Sequence, residues 1–188
     1  MATAHHRKKQ PEQVRRALLD CVAKIAAEQG PVAVTIQAVA EAAGVTKGGL
    51  LHHFASKQAL IEALFADLLE RLDRDIDRHM SADPVPAGRF TRAYVRACFA
   101  DRAVGETSLW AAVSVTLISE PELRRIWGTW IDGHLKRHRE TDDTPALAIV
   151  RLATDGVWLD DLLRQDARPD RDLGTLEPVL LAMASAPA

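Results

Sequence analysis

Apolar residues recur every three or four positions along almost the whole chain, and nowhere do they alternate with the period of two that marks a strand. From Pro11 to about Glu28, the positions Val14, Leu18, Cys21, Val22 and Ile25 form one helical stripe, closed by Gln29-Gly30-Pro31. Thr35 is a good N-cap for a short second helix carried by Ile36, Val39 and Ala40. Gly44 sits where the chain leaves that helix in a left-handed conformation without a Cβ penalty, and Thr46 is placed to cap the next one. Val45 and Leu50 supply the apolar pegs that fix the crossing. A short helix, a Gly-centred turn and a second short helix at this spacing predict a helix-turn-helix, with Thr46 to His52 as the segment that enters a major groove. Two adjacent glycines, Gly48 and Gly49, weaken that helix by roughly 1 kcal/mol each relative to alanine, so close approach of DNA to bare backbone is the expected compensation.

Ser56 opens a long helix whose apolar face, Leu60, Ile61, Leu64, Phe65, Leu68, Leu72 and Ile76, lasts until the SADPVPAG break at residues 81–88. It is the expected connecting element, over residues 56–80, and a tilt of its far end would move the reading head. Beyond it every segment keeps the helical period. Phe90, Tyr94, Ala97 and Cys98 mark one helix, and Leu109, Trp110, Val113, Leu117 and Ile118 a second. Ser119-Glu120-Pro121-Glu122 opens a third, with Leu123, Ile126, Trp127, Trp130, Ile131 and Leu135 in register. The segment from about Thr144 to Arg164 is apolar almost all round, which requires burial on more than one side, centrally in its own domain or against another chain. The expected fold is all-α: a flexible basic arm (1–10), a three-helix DNA-binding domain (11–57), and a helical bundle for ligand binding and dimerisation (58–188).

The run Thr35, Ile36, Val39, Ala40, Ala43, Gly44, Val45, then Lys47, Gly48, Leu50, and finally His53, Phe54, Ser56, Lys57, Leu60 resembles the TetR family of one-component bacterial regulators. It is a multi-point match over the first third of the chain. The resemblance implies a sequence-specific regulator, a repressor that releases a palindromic operator when a small effector binds in the second domain. It also implies a dimer built on the final two helices, which here designates Val150, Val157, Leu162, Leu176 and Leu180. The expected DNA-contacting set is Thr35, Thr46, Lys47, Gly48, Gly49, Leu51, His52, His53 and Lys57, with Arg15 on the supporting helix; Arg16 beside it could also touch phosphate. The family usually has Tyr-Tyr before the His-Phe pair and often Thr after the glycine, whereas Gly49, Leu51 and His52 stand there in this chain. The change removes a phenol that in the family often touches phosphate, while His52 could still donate one hydrogen bond.

Charge sharpens the picture. The whole chain carries 24 Lys/Arg against 26 Asp/Glu, but residues 1–57 hold eight against four, a net of +4, at the end with the helix-turn-helix. Cys21 and Cys98 lie among apolar residues and read as free thiols in a reducing compartment. With no apolar run of spanning length and no apolar core near the start, the expected location is cytoplasmic, with no membrane partner.

The candidate effector residues are Trp110, Trp127, Trp158, Tyr94 and Asp155. Tryptophan lines apolar pockets but also fills cores. Helical spacing puts Asp155 on one stripe with Trp158, Leu159 and Leu162, and a buried carboxylate needs a partner. Arg151, one turn earlier, is one candidate; a cationic or aromatic effector held between Asp155 and a Trp face is the other. His134 and His138 have metal-compatible spacing, with Asp132 and Asp142 nearby, but the HLKRHRE segment reads as a solvated face at a helix end. No cofactor is expected. The alternatives to a regulator are a helical small-molecule-binding or scaffolding protein and a metal-dependent enzyme.

Overall fold

Local signals at residues 35–57 fold as their chemistry dictates. The computed structural model describes residues 4–102, 116–163 and 175–185. α2 (Ile36–Ala42) begins behind Thr35, whose Oγ1 accepts from the Ala38 amide at 3.0 Å. It ends at Gly44 with φ +66°, where the Val45 amide reaches back to the Ala40 carbonyl at 3.0 Å and satisfies one of the helix's free carbonyls. α3 (Lys47–His53) begins behind Thr46, whose Oγ1 accepts from the Gly49 amide at 3.0 Å. The third cap is Ser56, accepting from the Ala59 amide at 3.0 Å at the start of α4 (Lys57–Ala82).

α1 (Ala4–Gln29) starts upstream of Pro11, so residues 4–10, expected as a flexible arm, are helical. AHHRKKQ holds neither glycine nor proline and several good helix formers, and Pro11 is carried inside the helix at the loss of one backbone hydrogen bond. Leu18, Leu19, Val22, Ile25 and Ala26 of α1, Val39 and Ala40 of α2, Leu50 of α3 and Leu60, Ile61, Leu64 and Phe65 of α4 are all buried. These elements belong to one compact unit, which includes residues 4–68 and 116–123. It follows α4 as far as Leu68, beyond the expected boundary at Lys57.

The second unit includes residues 69–102, 124–163 and 175–185. It contains the second half of α4, α5 (Arg89–Arg102), most of α6 (Pro121–Arg137), a single turn α7 (Arg139–Asp142), α8 (Pro145–Leu163) and α9 (Leu176–Met183). α5, α8 and α9 pack together around Val95, Phe99, Leu147, Val150, Val157, Leu180 and Ala184. No strand occurs among the described residues.

Buried ionic groups join these helices over long sequence separations. Asp142 is 1% exposed, and its Oδ1 accepts from the Thr91 amide (2.8 Å) and hydroxyl (2.7 Å). A carboxylate at the start of α5 satisfies free amides and complements the helix dipole. Arg151 completes the cluster by donating to Thr91 Oγ1 at 2.7 Å and to the Asp142 carbonyl at 3.2 Å. Arg92 forks across the α4–α5 connection, donating to Asp83 Oδ2 (2.7 Å), the Val85 and Ala87 carbonyls (2.7 Å each) and the Ala184 carbonyl (3.1 Å). Gly88, at φ +71°, lies in the same crowded corner, where a β-carbon would stand 2.5 Å from the Ala184 oxygen.

Candidate functional site

Leu50 anchors α3 from below, and the opposite side of the helix is open. Thr46, Lys47, Gly48, Gly49, Leu51 and His52 are exposed, as are Thr35 and Lys57 at the neighbouring helix starts. His53 is half-buried and meets His52 edge-on at 5.6 Å between ring centroids. The Arg15 guanidinium lies 4.7 Å from the centre of the Phe54 ring, a cation–π contact that brings this cation to the end of α3. Nine of the ten expected DNA-contacting residues therefore lie on accessible surface, with His53 partly so. Arg16 is exposed as well, but its guanidinium is engaged by carboxylates. It is an ion-pair partner of Asp67 on α4 at 2.5 Å, and of Asp20 at 3.1 Å, so its charge braces α1 against α4.

In the second unit the expected effector residues are partly brought together. Tyr94 is buried on α5, and its hydroxyl donates to Asp155 Oδ1 on α8 at 2.5 Å. The partner of Asp155 is thus a phenol; Arg151 contributes charge without direct contact, its guanidinium being spent on Thr91 and the Asp142 carbonyl. Burial pushes the Asp155 carboxyl above its ordinary value, against the opposing pull of the Tyr94 hydrogen bond and the Arg151 charge. Burial, with the Cys98 thiol and Asp155 beside it, raises the Tyr94 phenol well above its ordinary value. Trp130 lies 6.4 Å from Tyr94 and 5.1 Å from Trp127 between ring centroids, and Trp127, Trp130 and Trp158, the tryptophans among the described residues, are half-buried. Trp110 falls outside the described residues.

Sequence reading missed the other half of this cluster. The Trp130 indole N–H donates to Asp73 Oδ1 at 2.9 Å, and His134 Nε2 lies 2.7 Å from the same oxygen. His134, expected on a solvated face, is 6% exposed, with Phe90 stacked on it at 5.0 Å and Trp130 edge-on at 4.7 Å. Its Nδ1 has no hydrogen-bond partner. His138 also stacks on Phe90 at 5.0 Å, and burial holds its pKa below the ordinary value with Asp142 opposing. The available signal was Asp73, three residues before Ile76 and four after Leu69 on an otherwise apolar face. Asp142, which could have completed a metal site with the two histidines, is committed to the start of α5. Among the described residues no group of three His, Cys, Asp or Glu side chains could hold a metal ion, and no helix is long and apolar enough to cross a membrane.

Of the expected dimer contacts, Leu176 lies on exposed surface and three others do not. Val150, Val157 and Leu180 are buried in the chain's own core, because their side of α8 and α9 faces α5. The exposed apolar side chains lie on other faces of the same helices: Ile149 (57%), Leu152 (69%) and Leu159 on α8, with Leu176, Val179 and Met183 on α9. Leu162 lies beyond the described side chains.

A chain that is helical in both units and opens with a capped helix-turn-helix has the architecture of a helix-turn-helix DNA-binding regulator. Comparison with known proteins names the kind: residues 18–64 match the family described as bacterial regulatory proteins, tetR family, and residues 88–185 match the tetracyclin repressor-like C-terminal domain. The chain belongs to the TetR family of transcriptional regulators. It is similar to the HTH-type transcriptional regulator BetI of Rhizobium meliloti, with 34% identity over 60% of this chain and 56% of that protein, so the match spans about half the relative's length. The BetI of Pseudomonas aeruginosa is 29% identical over 82% of each chain. In structure, the multidrug binding protein EbrR, solved with malachite green, superposes with a TM-score of 0.69 at 21% identity over 93% of this chain and 98% of that one, a likeness of fold.

Proposed function

We propose that this chain is a dimeric repressor of the bacterial cytoplasm, without catalytic activity of its own, that leaves a palindromic operator when an organic cation binds in its second unit. The observation that carries the DNA half is α3: both helix starts are capped, one face is anchored by Leu50, and the other presents Lys47, Gly48, Leu51 and His52 to solvent. Its two-fold partner is a second copy, packed through the apolar outer faces of α8 and α9. Ile149, Leu152 and Leu159 recur at three- and seven-residue spacings, as Leu176, Val179 and Met183 do at three and four, so each helix carries a periodic exposed apolar face and not single scattered apolars.

The effector reading rests on the Tyr94–Asp155 pair and the indole of Trp130 near it. A carboxylate that burial makes costly to ionise gains by meeting a cation, and aromatic faces attract the same charge. EbrR, a neighbour in fold, binds the aromatic cation malachite green. DNA and effector then bind different members of one conformational equilibrium, so each weakens the other by the same coupling free energy, typically about 1 to 3 kcal/mol.

The test is selection of bound fragments from a genomic DNA pool at two salt concentrations, followed by addition of malachite green or tetramethylammonium to the complex. A palindromic motif with half-sites about one helical turn apart, released by either cation in an Asp155-dependent way, is the expected result. Salt-sensitive binding without a motif would overturn the operator reading, and release that Asp155→Asn leaves unchanged would overturn the effector site.

A further inference from the structure

The outer face of α3 carries a side chain that neither phosphate binding nor folding explains. Residues 48, 51 and 52 are three and four apart, so Gly48, Leu51 and His52 share one face of the helix, with Lys47 a turn before Leu51. Leu50 is fully buried, whereas Leu51 keeps 39% of its surface in water. A β-carbon on Gly48 would meet nothing within 4 Å, so the packing of the unit does not demand a glycine there. Together the two residues leave a strip of bare backbone flanked by an isobutyl group and an imidazole.

Duplex DNA offers such a face phosphate oxygens, polar base edges and one apolar group, the 5-methyl of thymine in the major groove. Lys47 and His52 suit the first two. Leu51 has no polar atom and can gain only from the third, and the bare strip at Gly48 lets the helix come close enough for a short side chain to reach a base edge. We propose that Leu51 reads a thymine in each half-site through its 5-methyl group, making it a specificity-determining residue. The operator then carries an A·T pair at one fixed position in each half. The proposal rests on the reading of α3 as the helix that enters the groove.

The test uses the full-length protein and a duplex recovered by its own selection, with each thymine replaced in turn by uracil, which lacks only the methyl. One position per half-site should show binding weakened about fourfold, the effect of withdrawing one methyl-sized apolar contact. Leu51→Ala should bind the thymine duplex more weakly and no longer distinguish thymine from uracil at that position, while Leu51→Met should retain the preference. Indifference of the wild-type protein to uracil at every position, or a preference that survives in Leu51→Ala, overturns the proposal. Lys47→Ala separates the two levels. If it weakens binding while uracil is neutral everywhere, only the thymine contact falls; if it too leaves affinity unchanged, the placement of α3 in the groove falls with it.

Discussion

The two units hold their polar groups in opposite ways. In the first, the helix starts are closed within three residues by Thr35, Thr46 and Ser56, and most charge stays on the surface, with the Arg16–Asp67 pair between α1 and α4 as a long-range exception. In the second, polar side chains on different helices are joined across 50 residues or more, as Asp142 to Thr91, Tyr94 to Asp155 and Trp130 to Asp73 are, and Arg92, Asp142 and Arg151 are buried. Local closure makes a surface that can be exchanged residue by residue. Long-range closure makes an interior in which a change at one helix is felt at two others.

The largest expected effect breaks the second arrangement. Asp142→Ala strips the start of α5 of the carboxylate that accepts from the Thr91 amide and hydroxyl, and removes the opposite charge beside buried Arg151 while leaving its bond to the residue 142 carbonyl, at a cost of about 3 to 5 kcal/mol. Thermal unfolding should show it as a large fall in Tm. In the first unit the comparable loss comes from packing, and Leu50→Ala should cost about 3 kcal/mol and remove DNA binding with it, measured by denaturant titration and fluorescence anisotropy on labelled DNA. Thr46→Ala removes one local cap and should cost about 1 kcal/mol, without disturbing effector binding.

Smaller still, and opposite in sign, is Gly48→Ala. The new methyl has open space around it, so stability should rise by somewhat under 1 kcal/mol while DNA affinity falls, a divergence that a purely structural glycine would not produce.

The last prediction concerns pH. Burial raises the Asp155 pKa, so the carboxylate is charged only above that raised value, and its hold on a cation fades on acidification earlier than an ordinary aspartate's would. Folding stability runs the other way. A raised folded pKa contributes stability below the unfolded value, and that contribution is lost as pH rises through the raised one. Asp155→Asn should flatten both trends, read by effector titration and by Tm between mildly acid and neutral pH.

The same contrast explains what was legible in the sequence. Caps, turn and pegs of residues 35–57 act on neighbours three to five positions away, so Thr35, Gly44, Thr46 and Leu50 could be assigned from spacing alone. The all-helical fold followed from the apolar period for the same reason. Asp73 and His134 meet across 61 positions, and no local pattern announces that pairing; a histidine amid HLKRHRE reads as surface until Phe90 is laid on it. The inward-facing Val150, Val157 and Leu180 were hidden for a different reason. α8 is apolar on several faces, and composition alone does not say which face α5 covers, so Val150 and Val157 were taken for the outer side. Arg16 was indistinguishable from Arg15 until Asp67 claimed it.

The Arg92 fork has a consequence for how the chain comes apart. Its grip on the Ala184 carbonyl ties together residues 92 positions apart, a loop whose closure entropy is large but grows only logarithmically with length. A clasp of that kind behaves as a non-covalent staple on the last helix, and opening it releases α9 while Asp142 still holds α5 to α7. Hydrogen exchange should accordingly find the amides of residues 176–183 leaving protection as a group, ahead of those in α5, so that any two-fold assembly built on α9 would loosen before its subunits unfold.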